Sequence, residues 1–172
     1  MSGNALLSGD SSDELQSRLD QYLTFLLNGQ EYAVDILQVQ GIQGWSSCTA
    51  LPNTPEFIRG VINLRGAIVP IFDLRMRFSM PLAEYNELTV VVVVKVTHGD
   101  TEKTVGMVVD AVSEVYNISK KEMSPAPEFG SEVEAQYIKS IANLQDNLVI
   151  LLDVEKLISE SLVNQLFAET AA

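Results

Sequence analysis

The chain predicts a mainly β protein of the barrel or sandwich class, built from two similar halves. Short apolar runs separated by Gly, Pro and Asn turns give the class. Val90-Val91-Val92-Val93-Val94, a β-branched run, favours a strand buried on both faces. An internal repeat gives the two halves. The stretch from Phe57 to Leu74 contains Asn63-Leu64-Arg65-Gly66-Ala67-Ile68-Val69, and Ile141 to Val154 follows the same plan without a gap. Asn63 falls on Asn143, Leu64 on Leu144, Val69 on Val149 and Asp73 on Asp153, while Gln145-Asp146 replaces Arg65-Gly66 at the tip.

Each element has a local reason. Tyr22 to Leu27 and Glu31 to Val34 flank Asn28-Gly29, a pair suited to a type I′ hairpin turn. Asp35 opens a short turn or 3-10 segment, and Val39 to Trp45 returns as a strand. Leu51 to Pro55 is a loop, because two prolines this close exclude regular structure. The Arg65-Gly66 hairpin follows, with Asp73 placed to cap a short helix over Leu74 to Phe78. Strands are expected over Thr89 to Val96, Lys103 to Val109 and Val112 to Ile118, with a turn at His98-Gly99-Asp100. A long loop runs from Ser124 to Glu134. After the second hairpin, Leu157, Ile158, Leu162, Leu166 and Phe167 recur at helical spacing, predicting a core-facing helix from Val154 to Leu166. Val39-Gln40-Gly41-Ile42 resembles Val112-Ser113-Glu114-Val115, so the repeat extends beyond the hairpins. Two β units, roughly 21–78 and 88–157, are expected to pack together and to exchange strands, since units this short have marginal cores alone. Residues 1–20 and 167–172 read as tails.

The chain has 172 residues, 47% of them hydrophobic, and a net charge of −12. Its mean hydropathy is +0.14 and its pI is near 4.3. That composition builds a core and argues against nucleic acid, whose binding rests on Lys and Arg at phosphates. It argues equally against an anionic membrane surface. No apolar run approaches the roughly 20 residues needed to span a bilayer, and the amino end lacks signal-peptide character. A lone cysteine, Cys48, excludes an internal disulfide and fits a reducing cytoplasm.

Catalytic chemistry is not legible. His98 is the only histidine and reads as an exposed turn residue. No phosphate-cradling glycine motif and no metal-ligand spacing is present, so neither cofactor nor metal is expected. Asp73 and Asp153 read as helix caps. Recognition groups remain: Arg59, Arg65, Arg75 and Arg77 cluster on an acidic chain, and arginine offers bidentate hydrogen bonding. Arg75 and Arg77 read as ordinary charge with ion-pair partners, and Arg65, at an exposed tip, reads as a recognition group.

These residues resemble a known family, the bacterial chemotaxis coupling proteins called CheW. The carriers are Tyr32-Ala33-Val34-Asp35-Ile36 with Val39, the run from Thr54 to Arg75, Val105 to Val112, and Pro125-Ala126-Pro127. The resemblance covers about Gln21 to Leu166 as a single CheW-like domain. It implies two intertwined SH3-like five-stranded β-barrels packed together, with short helices and a C-terminal helix. It implies a cytoplasmic, non-enzymatic adaptor between methyl-accepting chemoreceptor cytoplasmic tips and the regulatory domain of the histidine kinase CheA. That domain has a similar double barrel, so the two can alternate through pseudo-equivalent faces in array rings, with other CheW copies as further neighbours. The implied partner-contact or interface-shaping positions are Ile36, Val39, Arg65, Val93, Gly106 and Val112, with Arg59 and Gly60 as secondary positions. The chain departs from the family at Gly41, where a glutamate is usual and would be a natural ionic partner for the arginine at the tip; Gly41 therefore joins the partner-binding set. Two alternatives are a coupling protein of a related chemosensory pathway, such as surface motility, and a small-ligand or nucleotide-binding β-barrel.

Overall fold

The computed structural model describes residues 20–125 and 135–159. The first hairpin joins β1 (Gln21–Leu27) to β2 (Gln30–Asp35) through Asn28 and Gly29, both at positive φ (53° and 80°), as a type I′ turn requires. A 3-10 turn, Ile36–Gln38, is capped by the Asp35 carboxylate, which accepts from the Leu37 N–H at 2.9 Å. β3 (Val39–Gly44) leads into the proline loop, and β4 (Ile58–Leu64) and β5 (Ala67–Asp73) form the Arg65 hairpin. One helical turn, α1 (Leu74–Arg77), precedes β6 (Val90–His98), β7 (Thr101–Val109) and β8 (Ala111–Asn117). The short β9 (Met123–Ser124), then β10 (Ile138–Leu144), β11 (Asn147–Leu152) and the one-turn α2 (Val154–Leu157) follow.

The strands form two sheets, ordered β8-β1-β2-β11-β10-β9 and β3-β6-β7-β5-β4. The first hairpin therefore lies in the sheet of β8 to β11, while β3 to β5 lie with β6 and β7. The two sheets are built alike. In each, a tight hairpin pairs in parallel with the second strand of the other hairpin: Ile71 opposes Gly106, and Leu151 opposes Ala33. Both Asn-Leu hairpins carry a bulge at the same place, between Ile58 and Gly60 and between Ile138 and Ser140. The end of each hairpin pairs back identically, Asp73 N–H to the Phe57 carbonyl at 2.7 Å and Asp153 N–H to the Tyr137 carbonyl at 2.8 Å. Asp73 and Asp153 cap α1 and α2 alike, accepting from Met76 N and Lys156 N at 3.1 Å. Each sheet also curls toward closure, through a Thr49–Val61 bridge in one and the β9–β10 pairing of Ser124 with Ile141 in the other.

The valine run shows how the core is shared. Val91 to Val94 are all buried. Val92 and Val94 face the cluster between the sheets with Leu23, Phe25 and Met107, while Val91 and Val93 face the interior of their own sheet with Val69 and Ile71. Period-two alternation makes one strand serve both cores. At about 25 cal/mol per Å² of apolar area removed from water, this shared layer holds the two sheets together.

Arg75 fastens the join. Its Nε and Nη2 reach the two carboxylate oxygens of Asp110 at 2.7 and 2.5 Å, and its Nη1 donates to the Pro81 carbonyl at 2.8 Å. Asp110 also accepts from the Asn28 N–H at 2.9 Å, so α1, the β7–β8 corner and the first hairpin turn meet at one carboxylate. Arg77 lies over the Phe57 and Tyr137 rings, 5.2 and 4.8 Å from their centroids, and donates to the Tyr137 hydroxyl at 2.7 Å. Both arginines are thus structural.

Three expectations need correcting. α2 stops at Leu157, because Ile158 (φ −108°, ψ 86°) leaves the helical region; the predicted continuous helix is broken there, and residues 160–166 lie outside the described residues. His98 is half-buried rather than an exposed turn residue, and its Nε2 donates to the Ile158 carbonyl at 2.9 Å. Ser124 belongs to β9 rather than to the long loop, whose residues 126–134 lie outside the described residues, as do residues 1–19 of the predicted tail at 1–20 and the predicted tail at 167–172.

Candidate functional site

The sequence-predicted positions fall into three settings. Ile36, Val39 and Val112 are half-buried and pack against the cluster between the sheets. Val39 opposes Val94 across a β3 bulge, and Val112 opposes Phe25 across a β8 bulge, so the two valines are repeat-equivalent residues at the junction of the sheets. Leu37, between Ile36 and Val39 in sequence, is 57% exposed. These side chains give the junction an apolar margin.

Gly60, Val93 and Gly106 are interior. Val93 is 1% exposed. A Cβ on Gly106 would stand 2.5 Å from Ile71 Cδ1 and 2.8 Å from Val91 Cγ1. Gly60 sits at φ 140°, and a Cβ there would lie 2.1 Å from the Thr49 carbonyl oxygen, which accepts the Val61 N–H at 2.8 Å. All three are buried.

Arg65, Gly41 and Arg59 are the accessible set. Arg65 (φ 53°) and Gly66 (φ 87°) form a type I′ turn, and the Asn63 Oδ1 accepts from the Gly66 N–H at 2.9 Å. The turn is thereby fixed by its neighbours, and the Arg65 guanidinium makes no ion pair among the described residues. Gly41 follows the β3 bulge, and a Cβ there would meet nothing within 4 Å. Arg59 lies 5.6 Å from the Tyr85 ring centroid. Tyr85 packs edge-on against Trp45 with centroids 4.6 Å apart, and its hydroxyl donates to Asp73. Burial, followed by the bond to Asp73, pushes the Tyr85 phenol well above its ordinary pKa. Cys48 is half-buried and donates to the Arg59 carbonyl at 3.0 Å, and burial pushes its thiol up.

The structure adds residues that the sequence reading did not single out. Ile68 and Leu148, at the same place in the two Asn-Leu hairpins, are 45% and 56% exposed, while Ile42 and Val115, at the same place in β3 and β8, are 46% and 47% exposed. Each sheet thus presents a matched pair of apolar side chains to solvent. Their surroundings differ in charge: Gly41 and Arg65 accompany Ile42 and Ile68, whereas Glu114 and Asp146 accompany Val115 and Leu148. The repeat register was the available signal, because a large apolar residue left outside at the same place in both halves marks a shared surface.

Among the described residues, no group of three His, Cys, Asp or Glu side chains is placed to hold a metal ion, and no helix is long and apolar enough to cross a membrane. Among the described residues, three clefts have volumes of ≈ 200, ≈ 340 and ≈ 360 Å³.

The family model for the CheW-like domain matches residues 21–162. The chemotaxis protein CheW of Klebsiella aerogenes is 43% identical over 139 residues, covering 81% of each chain. The chemotaxis protein CheW of Bacillus subtilis is 30% identical over 141 residues, covering 82% of this chain and 88% of its own. The crystal structure of the scaffolding protein TtCheW from Thermoanaerobacter tengcongensis superposes with a TM-score of 0.74 at 29% identity, covering 83% of this chain and 90% of that one. With its duplicated Asn-Leu hairpins, two curled sheets and matching domain extent, this chain belongs to the CheW-like domain family.

Proposed function

We propose that this protein is a non-enzymatic scaffolding adaptor that couples chemoreceptor cytoplasmic tips to the regulatory domain of the histidine kinase CheA. One observation carries the reading: the matched exposed pairs, Ile42 and Ile68 on one sheet and Val115 and Leu148 on the other. A molecule with two pseudo-equivalent apolar faces contacts two neighbours of similar fold, one at each face. The faces differ in charge, Arg65 on one and Glu114 with Asp146 on the other, which orients the neighbours. The apolar margin around Ile36, Val39 and Val112 receives the helical receptor tip in the manner of helix-in-groove recognition. Arg65, Arg59 and the open position at Gly41 tune the partner contact, while Gly60, Val93 and Gly106 hold the strands that present it. The protein works in the cytoplasm and joins receptor arrays through these contacts, with other copies of the chain as further neighbours.

Titration of the protein with the kinase regulatory domain and, separately, with a receptor-tip fragment tests this. Ile68→Asp and Leu148→Asp should each weaken a kinase-domain contact by tenfold or more, since an apolar interface anchor is replaced by a charge. Val39→Asp should weaken the receptor contact. Absence of binding to both partners by the unaltered protein would remove the adaptor reading.

A further inference from the structure

β3 and β8 occupy the same place in the two halves, each at the end of its sheet. Val39 and Val112 are equivalent in them, so Gly41 of β3 stands where β8 carries Glu114, an exposed residue. A charge on an edge strand deters pairing with another chain, and an uncharged edge is a template for it. β3, Val39-Gln40-Gly41-Ile42-Gln43-Gly44, has no charged residue and no proline, on a chain whose net charge is −12. Ile42 is 46% exposed, Gln40 and Gly44 are exposed, and a Cβ at Gly41 or Gly44 would meet nothing within 4 Å. Among the described residues, β3 pairs with β6 as its one neighbouring strand.

The phase of the β3–β6 ladder defines what this edge offers. Beyond the bulge at Gln40, β3 runs in regular register from Gly41 opposite Val93 to Gly44 opposite Val90. The Trp45 N–H then donates to the Thr89 carbonyl at 3.0 Å. Peptide groups along an antiparallel strand turn alternately to its two sides, so Gln43 and Gly41 also turn theirs toward β6. Ile42 and Gly44 turn theirs away. These two residues share one face of the strand, and one has a large apolar side chain where the other has none. Antiparallel pairing of two copies about Gln43 sets each Ile42 opposite the Gly44 of the second copy. Both pairs then exchange N–H···O bonds, and each isoleucine covers the bare backbone of the facing glycine. On the other face Gln43 meets Gln43, and Trp45 stands opposite Gly41, the arrangement in which an aromatic residue shields an edge glycine. The edge thus complements itself in shape and carries no charge to repel its copy.

We propose that β3 is a self-pairing edge: two copies of this chain join β3 to β3 antiparallel, with Gln43 on the two-fold axis. The contact needs neither kinase domain nor receptor, so it stands or falls apart from the adaptor reading. Sedimentation of the full chain alone, over a range of concentrations, tests it, and a reversible dimer is expected. Gly41→Glu, which installs the residue of β8, and Ile42→Lys should each weaken that dimer about tenfold or more, since each puts a charge on the edge. Gly41 has no left-handed φ and open space around it, so its replacement leaves the fold intact. In a Cys48→Ser background, Gln43→Cys should give a disulfide-linked dimer with oxidised glutathione. A non-hydrogen-bonded antiparallel pair holds its Cα atoms about 4.5 Å apart, within disulfide reach. Gln40→Cys, away from the axis, should cross-link little. A monomer at every concentration, a dimer indifferent to both charge substitutions, or equal cross-linking at the two positions would overturn the proposal. So would hydrogen exchange showing the Ile42 and Gly44 amides equally protected at all concentrations, because the chain would then cover the edge itself.

Discussion

The β4–β5 and β10–β11 hairpins are two versions of one device. They share the bulge, the pairing of the strand end back to Phe57 or Tyr137, the capping aspartate and the parallel neighbour. Even the turns agree in backbone, Arg65-Gly66 at φ 53° and 87° and Gln145-Asp146 at 47° and 71°. They differ in what stands at the bulge and at the tip. The bulge position is Gly60 in one and Ser140 in the other, and the tips are Arg-Gly and Gln-Asp. A feature present in both copies answers to the fold. A feature present in one answers either to a local packing demand or to a partner, and exchanging residues between the copies separates the two.

The largest effect is expected at the bulge. Gly60→Ser installs the residue of the second copy, whose Ser140 lies outside the left-handed region. At Gly60 the φ of 140° is strained for any side chain, and the new Cβ would strike the Thr49 carbonyl. A loss of about 3 kcal/mol or more is expected from strain and backbone displacement, read as a fall in the urea midpoint. Ser140→Gly should cost less than about 1 kcal/mol, because it removes a hydroxyl that is buried without a partner. Equal losses in the two would show that the copies make the same demand at this place.

Next comes the clamp that only the first half has, where Arg75 stands and Glu155 is its counterpart. Arg75→Ala leaves Asp110 partly buried without its guanidinium and should cost about 2 to 3 kcal/mol at pH 7, toward the lower side for a pair this accessible. Burial raises the pKa of Asp110, but the hydrogen bonds from Arg75 and the Asn28 N–H lower it further, so it lies below the ordinary carboxylate value. A carboxyl depressed in the folded state adds stability above its unfolded pKa, near 4, and loses it as pH falls through the folded value. The difference between wild type and Arg75→Ala, measured by denaturant melts, should therefore be full at pH 7 and shrink below about pH 4. A difference independent of pH would assign the loss to packing of the arginine stem.

Smaller again is Gly106→Ala. Its repeat-equivalent is Ala33, which is fully buried, so one sheet already accommodates the methyl group that the other excludes. Contacts at 2.5 and 2.8 Å are with side-chain ends of Ile71 and Val91, which can rotate, and about 1 to 2 kcal/mol is the expected loss.

Sequence reading recovered what depends on local chemistry. The Asn-Gly and Arg-Gly turns, the capping aspartates and the valine strand are each decided within a few residues, and the repeat could be seen because both copies keep Asn-Leu before the turn. Directions of side chains were less legible. The resemblance gives Val93 and Gly106 as contact or interface-shaping positions, and residue type alone does not show that both are buried, since a strand buried on both faces gives no alternation to separate inside from outside. Ile68 and Leu148 escaped notice for the same reason, lying in apolar runs where an exposed residue looks like its buried neighbours. α2 was read too long because Leu157 and Ile158 keep helical spacing and are both buried, yet Ile158 is held by His98 from across the chain. Long-range partners of that kind leave no periodic trace.

The smallest effect on stability, with the largest expected on binding, belongs to the tip. Replacing Arg65-Gly66 by the Gln-Asp of the second hairpin keeps a turn that the second copy already makes with those residues. The loss of glycine at φ 87° costs at most about 1 kcal/mol. Arg65 contributes no ion pair to the fold among the described residues, so its removal adds little. The melting temperature should fall by a few degrees at most. Affinity for the partner at this face should fall by tenfold or more, because a cation becomes a neutral residue beside a new carboxylate and the two faces then carry the same sign. Gly41→Glu probes the open position on β3, where nothing lies within 4 Å of a Cβ. It should leave stability within about 0.5 kcal/mol of wild type and change partner affinity. Its effect on binding should diminish when the tip is already exchanged, if the glutamate acts by pairing with Arg65, and persist unchanged if it meets the partner directly. A double-mutant cycle on binding distinguishes the two.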